Sequence, residues 1–205
     1  GLTQELAFEA GWDQSLIELM KQRGQLHPPA GSDYFIFPRS GYKNMPDFAI
    51  GRAGWDNWMI YAARKQGWPV VDATAAVQVL HQNHDYSHLP GGQPHYRLPE
   101  THENVRLSGG RKTIFTLQDV NYTLAGDQLQ PIPLSDGKWL RELETWPLRK
   151  LQGRAGLVLG EVHFILFNPV KAWRKLRGWV KYVFRKRTPG GTSPLDGKKG
   201  KDGYA

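Results

Sequence analysis

The sequence predicts an α/β layered domain with a helical, basic C-terminal appendage. Three observations carry that expectation. Helical and strand-like patterns alternate through about residue 135, as layered α/β domains require. Hydrophobic residues make up 40% of the chain and include eight Trp, eight Tyr and eight Phe, enough to build a core. Beyond residue 135 the pattern turns helical and then strongly cationic.

The elements follow in order. "GWDQSLIELMKQRG" (11–24) places Trp12, Leu16, Leu19, Met20 and Arg23 at helical spacing and stops at Gly24. Consecutive prolines then force a loop at "LHPPAGS". "DYFIFPR" (33–39) reads as a strand, because Tyr34, Phe35, Ile36 and Phe37 all favour extended backbone. A segment punctuated by Gly and Pro leads into "WDNWMIYAARKQG", a helix that buries Trp58, Met59, Tyr61 and Ala62 and ends at Gly67. "WPVVDAT" and "AAVQVLHQN" read as two strands, the second running into a histidine-rich segment. "ETHENVRLSGG" opens after Pro99 and closes on two glycines, the signature of a short helix. "KTIFTLQDVNYTLAGDQLQPIP" alternates and turns at Gly126-Asp127, a hairpin. "GKWLRELETWPLRKLQGRAG" and "GLVLGEVHFILFNP" read as helices, and "PVKAWRKLRGWVKYVFRKR" (169–187) as a basic amphipathic helix. The last stretch, 188–205, has a hydrophilic, low-complexity composition that predicts disorder. The expected organisation is therefore 1–135, 136–187 and 188–205.

Cysteine is absent, which excludes disulfides, thiolate catalysis and Cys-based zinc sites. Any metal must sit on His, Asp, Glu or Asn. The net charge of +8 is carried by the C-terminal end: residues 171–201 hold eleven Lys and Arg against one acid, Asp196. The high pI thus describes that end and says little about the remainder. No run of eighteen uncharged apolar residues occurs, so no transmembrane helix is expected.

Three constellations can carry chemistry. In "VLHQNHDYSH" (79–88), His81, His84, Asp85 and His88 suit a divalent cation or a proton-transfer device. Equally, they can hydrogen-bond a loop, and their spacing fits no well-specified zinc motif. In "GWDNW", Asp56 opens a helix between Trp55 and Trp58. An Asp there caps the helix and complements its dipole. Beside two Trp faces it also has the makings of a sugar site, where the carboxylate accepts from hydroxyls or acts as a general base. In "SDYFIFPRS", Asp33 and Arg39 are the polar ends of a hydrophobic run, and Arg39 or Arg52 could face a phosphate.

"GSDYFIFPR", "PDFAIGRAGWDNWMIYAARKQGWPVVDAT" and "VLHQNHDYSH" together resemble the C-terminal half of bacterial glycosyltransferase-like proteins of the nucleotide-diphospho-sugar transferase (GT-A) superfamily. The likeness spans about residues 9–135 and is most specific over 31–88. It implies a partial, GT-A-like, doubly wound α/β layer that supplies the acceptor side of a sugar-transfer site. "GWDNW" is similar to the Gly-Trp-acidic motif of inverting members. That makes Asp56 the implied base, Trp55 and Trp58 acceptor-side walls, and Asp33, Arg39 and Arg52 substrate-binding residues. His81, or else His84, would complete a site for a divalent metal (Mn or Mg), and a nucleotide-sugar would be the donor.

The chain also departs from that family. It contains no D-x-D, no Gly-rich phosphate loop and no β-α-β nucleotide-binding unit before residue 31. The expectation is a truncated piece, inactive in transfer alone. Two alternatives stand beside it: a non-catalytic glycan-binding relic, and a metal-dependent hydrolase built on the histidine cluster. The striped basic helix suits an anionic membrane surface, which places the protein in the cytoplasm and peripherally at the inner membrane face. The same helix could instead pack its stripe on the domain. Nucleic acid is a weaker match, since no recognition module accompanies the charge.

Overall fold

The computed structural model describes residues 8–25, 27–77, 79–80, 89–92, 95–174, 176–177 and 180. The chain divides into two compact units, 1–163 and 164–205. The first is mostly helical, with a small mixed sheet. Its elements are α1 (Trp12–Arg23), α2 (Trp55–Lys65), β1 (Val71–Asp72), α3 (Pro99–Leu107), β2 (Tyr122–Ala125), β3 (Gln128–Pro131), α4 (Asp136–Lys150) and α5 (Gly153–Phe167), the last running into the second unit.

The sheet has the order β1-β2-β3. β1 lies parallel to β2, with Val71 opposite Tyr122, and β2 pairs antiparallel with β3, with Thr123 opposite Gln130. The hairpin turns at Gly126-Asp127 as expected, and Gly126 takes φ 64°, which glycine adopts at little steric cost. The Asn121 carboxamide oxygen accepts the Val70 N–H at 2.8 Å and so joins β1 to the start of β2.

Two expected strands do not form among the described residues. Residues 33–38 carry no regular secondary structure, Arg39 lies in a turn, none of them joins a sheet, and Ile36 is 90% exposed. Their aromatic rings are engaged side-on instead, Phe35 against Trp55 and Phe37 against Tyr42. Strand propensity has no ladder to join there. After β1, Asp72 accepts both the N–H and the hydroxyl of Thr74, and the Ala76 and Val77 N–H groups return to the Ala73 carbonyl. This side-chain turn ends the strand, so the described part of 75–80 is not a second one. Among the described residues the sheet is therefore three-stranded and mixed, and no doubly wound layer is formed.

The core joins Ile60 and Tyr61 of α2 to Phe115, Val120 and Leu148, with Phe35, Trp58, Val70, Leu117 and Ile132 packed around it. α4 seats Leu148 by means of buried charge. Arg141 pairs with Asp119 at 2.6 Å and lies 5.3 Å over the Phe115 ring. Asp119 is 3% exposed and also accepts the Thr116 N–H, closing a capping box. Glu142 collects Arg64 and Arg149, each at 2.6 Å.

α4 also contains Pro147, which cannot donate to the carbonyl of Leu143. His163 of α5 supplies the missing donor through Nδ1 at 3.1 Å, so its Nδ1 carries the proton. Gly160 faces Leu148, whose side chain would lie 2.4 Å from an added Cβ, so α5 approaches α4 closely there.

Candidate functional site

The segment "AIGRAGWDNW" (49–58) is a loop that turns into α2. Gly54 sits at the helix N-cap with φ 107°, a conformation open essentially to glycine. Asn104 of α3, 1% exposed, organises the loop. Its Oδ1 accepts the Ala49 N–H at 2.9 Å. Its Nδ2 donates to the carbonyls of Ala49, Arg52 and Ala53 at 3.0, 3.3 and 3.2 Å. One buried amide thus reaches four backbone groups, its two N–H hydrogens shared among three carbonyls, of which that of Ala49 also accepts the Arg52 N–H. Within α2, the Asn57 Nδ2 donates to the Phe115 carbonyl at 2.7 Å, which anchors the first turn to the core.

Asp56 is half-buried, and its Oδ1 accepts the Gly54 N–H at 3.1 Å. This is the local capping role open to an Asp in a first helical turn. Trp55 is half-buried against Phe35, with ring centroids 5.7 Å apart. Trp58 lies in an aromatic cluster, 5.3 Å from Phe48 and 6.0 Å from Tyr42, and Tyr42 in turn contacts Trp68. The Tyr42 hydroxyl donates to the Met59 carbonyl at 3.0 Å, and burial raises its pKa above 10.0.

Of the other expected residues, Asp33 and Arg39 are exposed. Arg52 is half-buried; one guanidinium nitrogen donates to the Gly51 carbonyl at 3.1 Å, and its Nε is buried without an acceptor. The Phe35–Trp55 contact brings the 33–39 segment beside the first turn of α2. His81 and His84, with Asp85 and His88, lie outside the described residues. Among the described residues no group of three or more His, Asp or Glu is placed to hold a metal, and no helix is long and apolar enough to cross a membrane.

An open cleft of about 200 Å³ lies at the start of α2. Gly54 and Asn57 form one wall; Tyr96, His102, Val105 and Arg111 are among the residues that form the others. Arg111 and His102 are exposed, so the cleft offers a cation, an imidazole and a phenol ring around an apolar floor. Asp56, Trp55, Trp58, Asp33, Arg39 and Arg52 border this region or lie apart from it, and none lines the cleft.

Tyr96, His102 and Arg111 were not legible as site residues, because they come from segments that only the packing of α3 on the 49–54 loop brings together. Asn104 did leave a trace: an Asn inside a short helix is a poor helix former, and its place calls for a tertiary bond. Compared with known proteins, the chain matches no family model, no curated protein and no solved structure.

Proposed function

We propose that this chain provides the acceptor side of a GT-A-like, metal-assisted glycosyltransferase that moves a sugar from a nucleotide-sugar to a hydroxyl acceptor. The observation that supports this reading most is the Asn104 clamp. A buried side chain spent on holding "IGRAG" in one conformation fixes the backbone that presents Trp55 and Asp56, beside a cleft of sugar-sized volume.

In this reading Asp56 accepts the acceptor hydroxyl's proton. Its Oδ1 is held by the Gly54 N–H, which orients the carboxylate and leaves Oδ2 for substrate. The exposed part of Trp55 covers an apolar sugar face, and Asp33, Arg39 and Arg52 contact polar groups of the substrates. Trp58 acts through packing, since Phe48 and Tyr42 already contact its ring. A divalent metal (Mn or Mg) held with His81 or His84 belongs to the same proposal and would assist departure of the nucleotide.

The test separates binding from transfer. Calorimetric titration of the full chain with oligosaccharides is expected to show binding that Trp55→Ala weakens about tenfold and Asp56→Asn largely preserves, because the amide oxygen still accepts the Gly54 N–H. The chain alone is expected to transfer no sugar; in an assay that also supplies a donor-binding half, with nucleotide-sugar and metal, transfer should fall about 10²–10⁴-fold in Asp56→Asn. Binding of nucleotide-sugar without any saccharide binding would sink the acceptor-side assignment. A second reading, glycan binding without transfer, is favoured by the capping bond of Asp56. Its mark would be saccharide binding with no transfer even when a donor-binding half, nucleotide-sugar and metal are supplied.

A further inference from the structure

The second unit carries a surface that sugar transfer does not use. Its helical backbone covers 169–174, and the Ala172 N–H donates to the Asn168 carbonyl at 2.9 Å, continuing the helical bonding across Asn168. Val170, Trp173 and Leu176 are 62%, 65% and 50% exposed. At 3.6 residues per turn they share, with Val180, an arc of about 120°. Trp173, Leu176, Arg177 and Val180 line a groove of about 270 Å³.

Charge completes the pattern. Lys171, Arg174 and Arg177 are exposed; Lys171 and Arg174 lie on the remaining arc, and Arg177 falls within the apolar one, between Trp173 and Val170. The sequence places eight Lys and Arg between 171 and 187, and no carboxylate occurs between Glu161 and Asp196. A solvated surface helix ordinarily intersperses its charges with acids, whereas this one has cations alone beside an uncovered apolar stripe.

We propose that the described helical surface between Pro169 and Val180 docks on an anionic lipid bilayer, with Trp173 and its apolar neighbours entering the headgroup boundary and Lys171, Arg174 and Arg177 contacting acidic headgroups. The apolar stripe selects a bilayer over a soluble polyanion, which has nothing to accept an indole. The charge selects anionic lipid over neutral lipid. This inference stands independently of the sugar-transfer reading.

Co-flotation of the full chain with vesicles tests it. Binding is expected to phosphatidylcholine vesicles containing phosphatidylglycerol, little to phosphatidylcholine alone, and less as salt is raised. Each cation removed among Lys171, Arg174 and Arg177 should weaken binding about fivefold. Trp173→Ala should weaken it about tenfold or more while leaving the melting curve of the first unit in place, since an exposed side chain contributes little to stability. Equal binding to neutral vesicles, or none to either, overturns the proposal. So does binding that requires the cations and ignores Trp173, which is the behaviour of a polyanion site. A change of sedimentation state in Trp173→Ala without loss of flotation assigns the stripe to self-association and overturns it as well.

Discussion

α2 and the helical segment from Pro169 onward are similar in composition and opposite in fate. Both mix Trp with aliphatic and basic residues. α2 buries Asn57, Met59, Ile60, Tyr61, Ala62 and Ala63, and sends its basic end to Glu142 through Arg64. The later segment leaves Val170, Trp173 and Leu176 exposed, with no acid nearby in sequence. The difference is one of partners. α2 is met by Phe115, Val120 and Leu148 on its apolar side, while its Asn57 donates to the Phe115 carbonyl and its Arg64 pairs with Glu142. A helix so enclosed can hold a site still. A helix whose stripe stays exposed is suited to recruiting a surface.

That contrast can be broken most severely at the charge that seats α4 on the Phe115–Asp119 segment, which packs against α2. Arg141→Ala strips the ion pair from Asp119, which is buried, and should cost about 3–5 kcal/mol in chemical denaturation. Arg141→Lys should recover part of this, as a point charge replaces a fork. An unchanged midpoint would mean that Asp119 finds water or another donor once Arg141 is gone.

A smaller loss, about 2–3 kcal/mol, is expected for Asn104→Ala, which leaves the backbone groups of Ala49, Arg52 and Ala53 without their partner. Hydrogen exchange sharpens the result: protection should fall in residues 49–54 before it falls in the core of α2. Uniform loss across the unit would show that the asparagine stabilises the fold at large and not the loop in particular.

The mildest change is Tyr42→Phe, about 1 kcal/mol for the bond to the Met59 carbonyl. It carries a pH signature. Burial raises the phenol pKa in the folded state, so its contribution is fully present below pH 10.0 and is lost as pH rises through the folded value. The wild type should therefore lose stability more steeply than Tyr42→Phe above that point. Parallel curves would indicate that Tyr42 ionises as freely folded as unfolded.

The helices were the most legible part of the fold. α1 and α2 show apolar residues at helical spacing, and α3, α4 and α5 were marked by the prolines and glycines that separate them. The hairpin at Gly126-Asp127 was legible for the same local reason. The segment 33–39 misled because β propensity describes a residue's fit to a pleated, half-buried surface, and no sheet edge is offered to Tyr34–Phe37. Of this region, the helix start was legible: "GWDNW" opens α2 after Gly54, whereas Arg111, His102 and Tyr96 of the cleft carry no shared local pattern.

The sequence by itself determined which segments become helices, the hairpin, the absence of cysteine chemistry and the concentration of positive charge between 171 and 201; it set the end of α4 and the start of α5 less well, since it ran the first helix on to 156 where α4 ends at Lys150. Those properties are set within a few residues by backbone sterics, side-chain period and composition. Tertiary structure alone decided that Trp58 packs internally with Phe48 and Tyr42, and that Asn104 holds a loop some fifty residues away in the chain. It also decided that the Leu143 carbonyl, left free by Pro147, accepts a hydrogen bond from His163. Each of these is a demand for a hydrogen-bond or packing partner that local sequence leaves open, and the partner is known only once distant segments have come together.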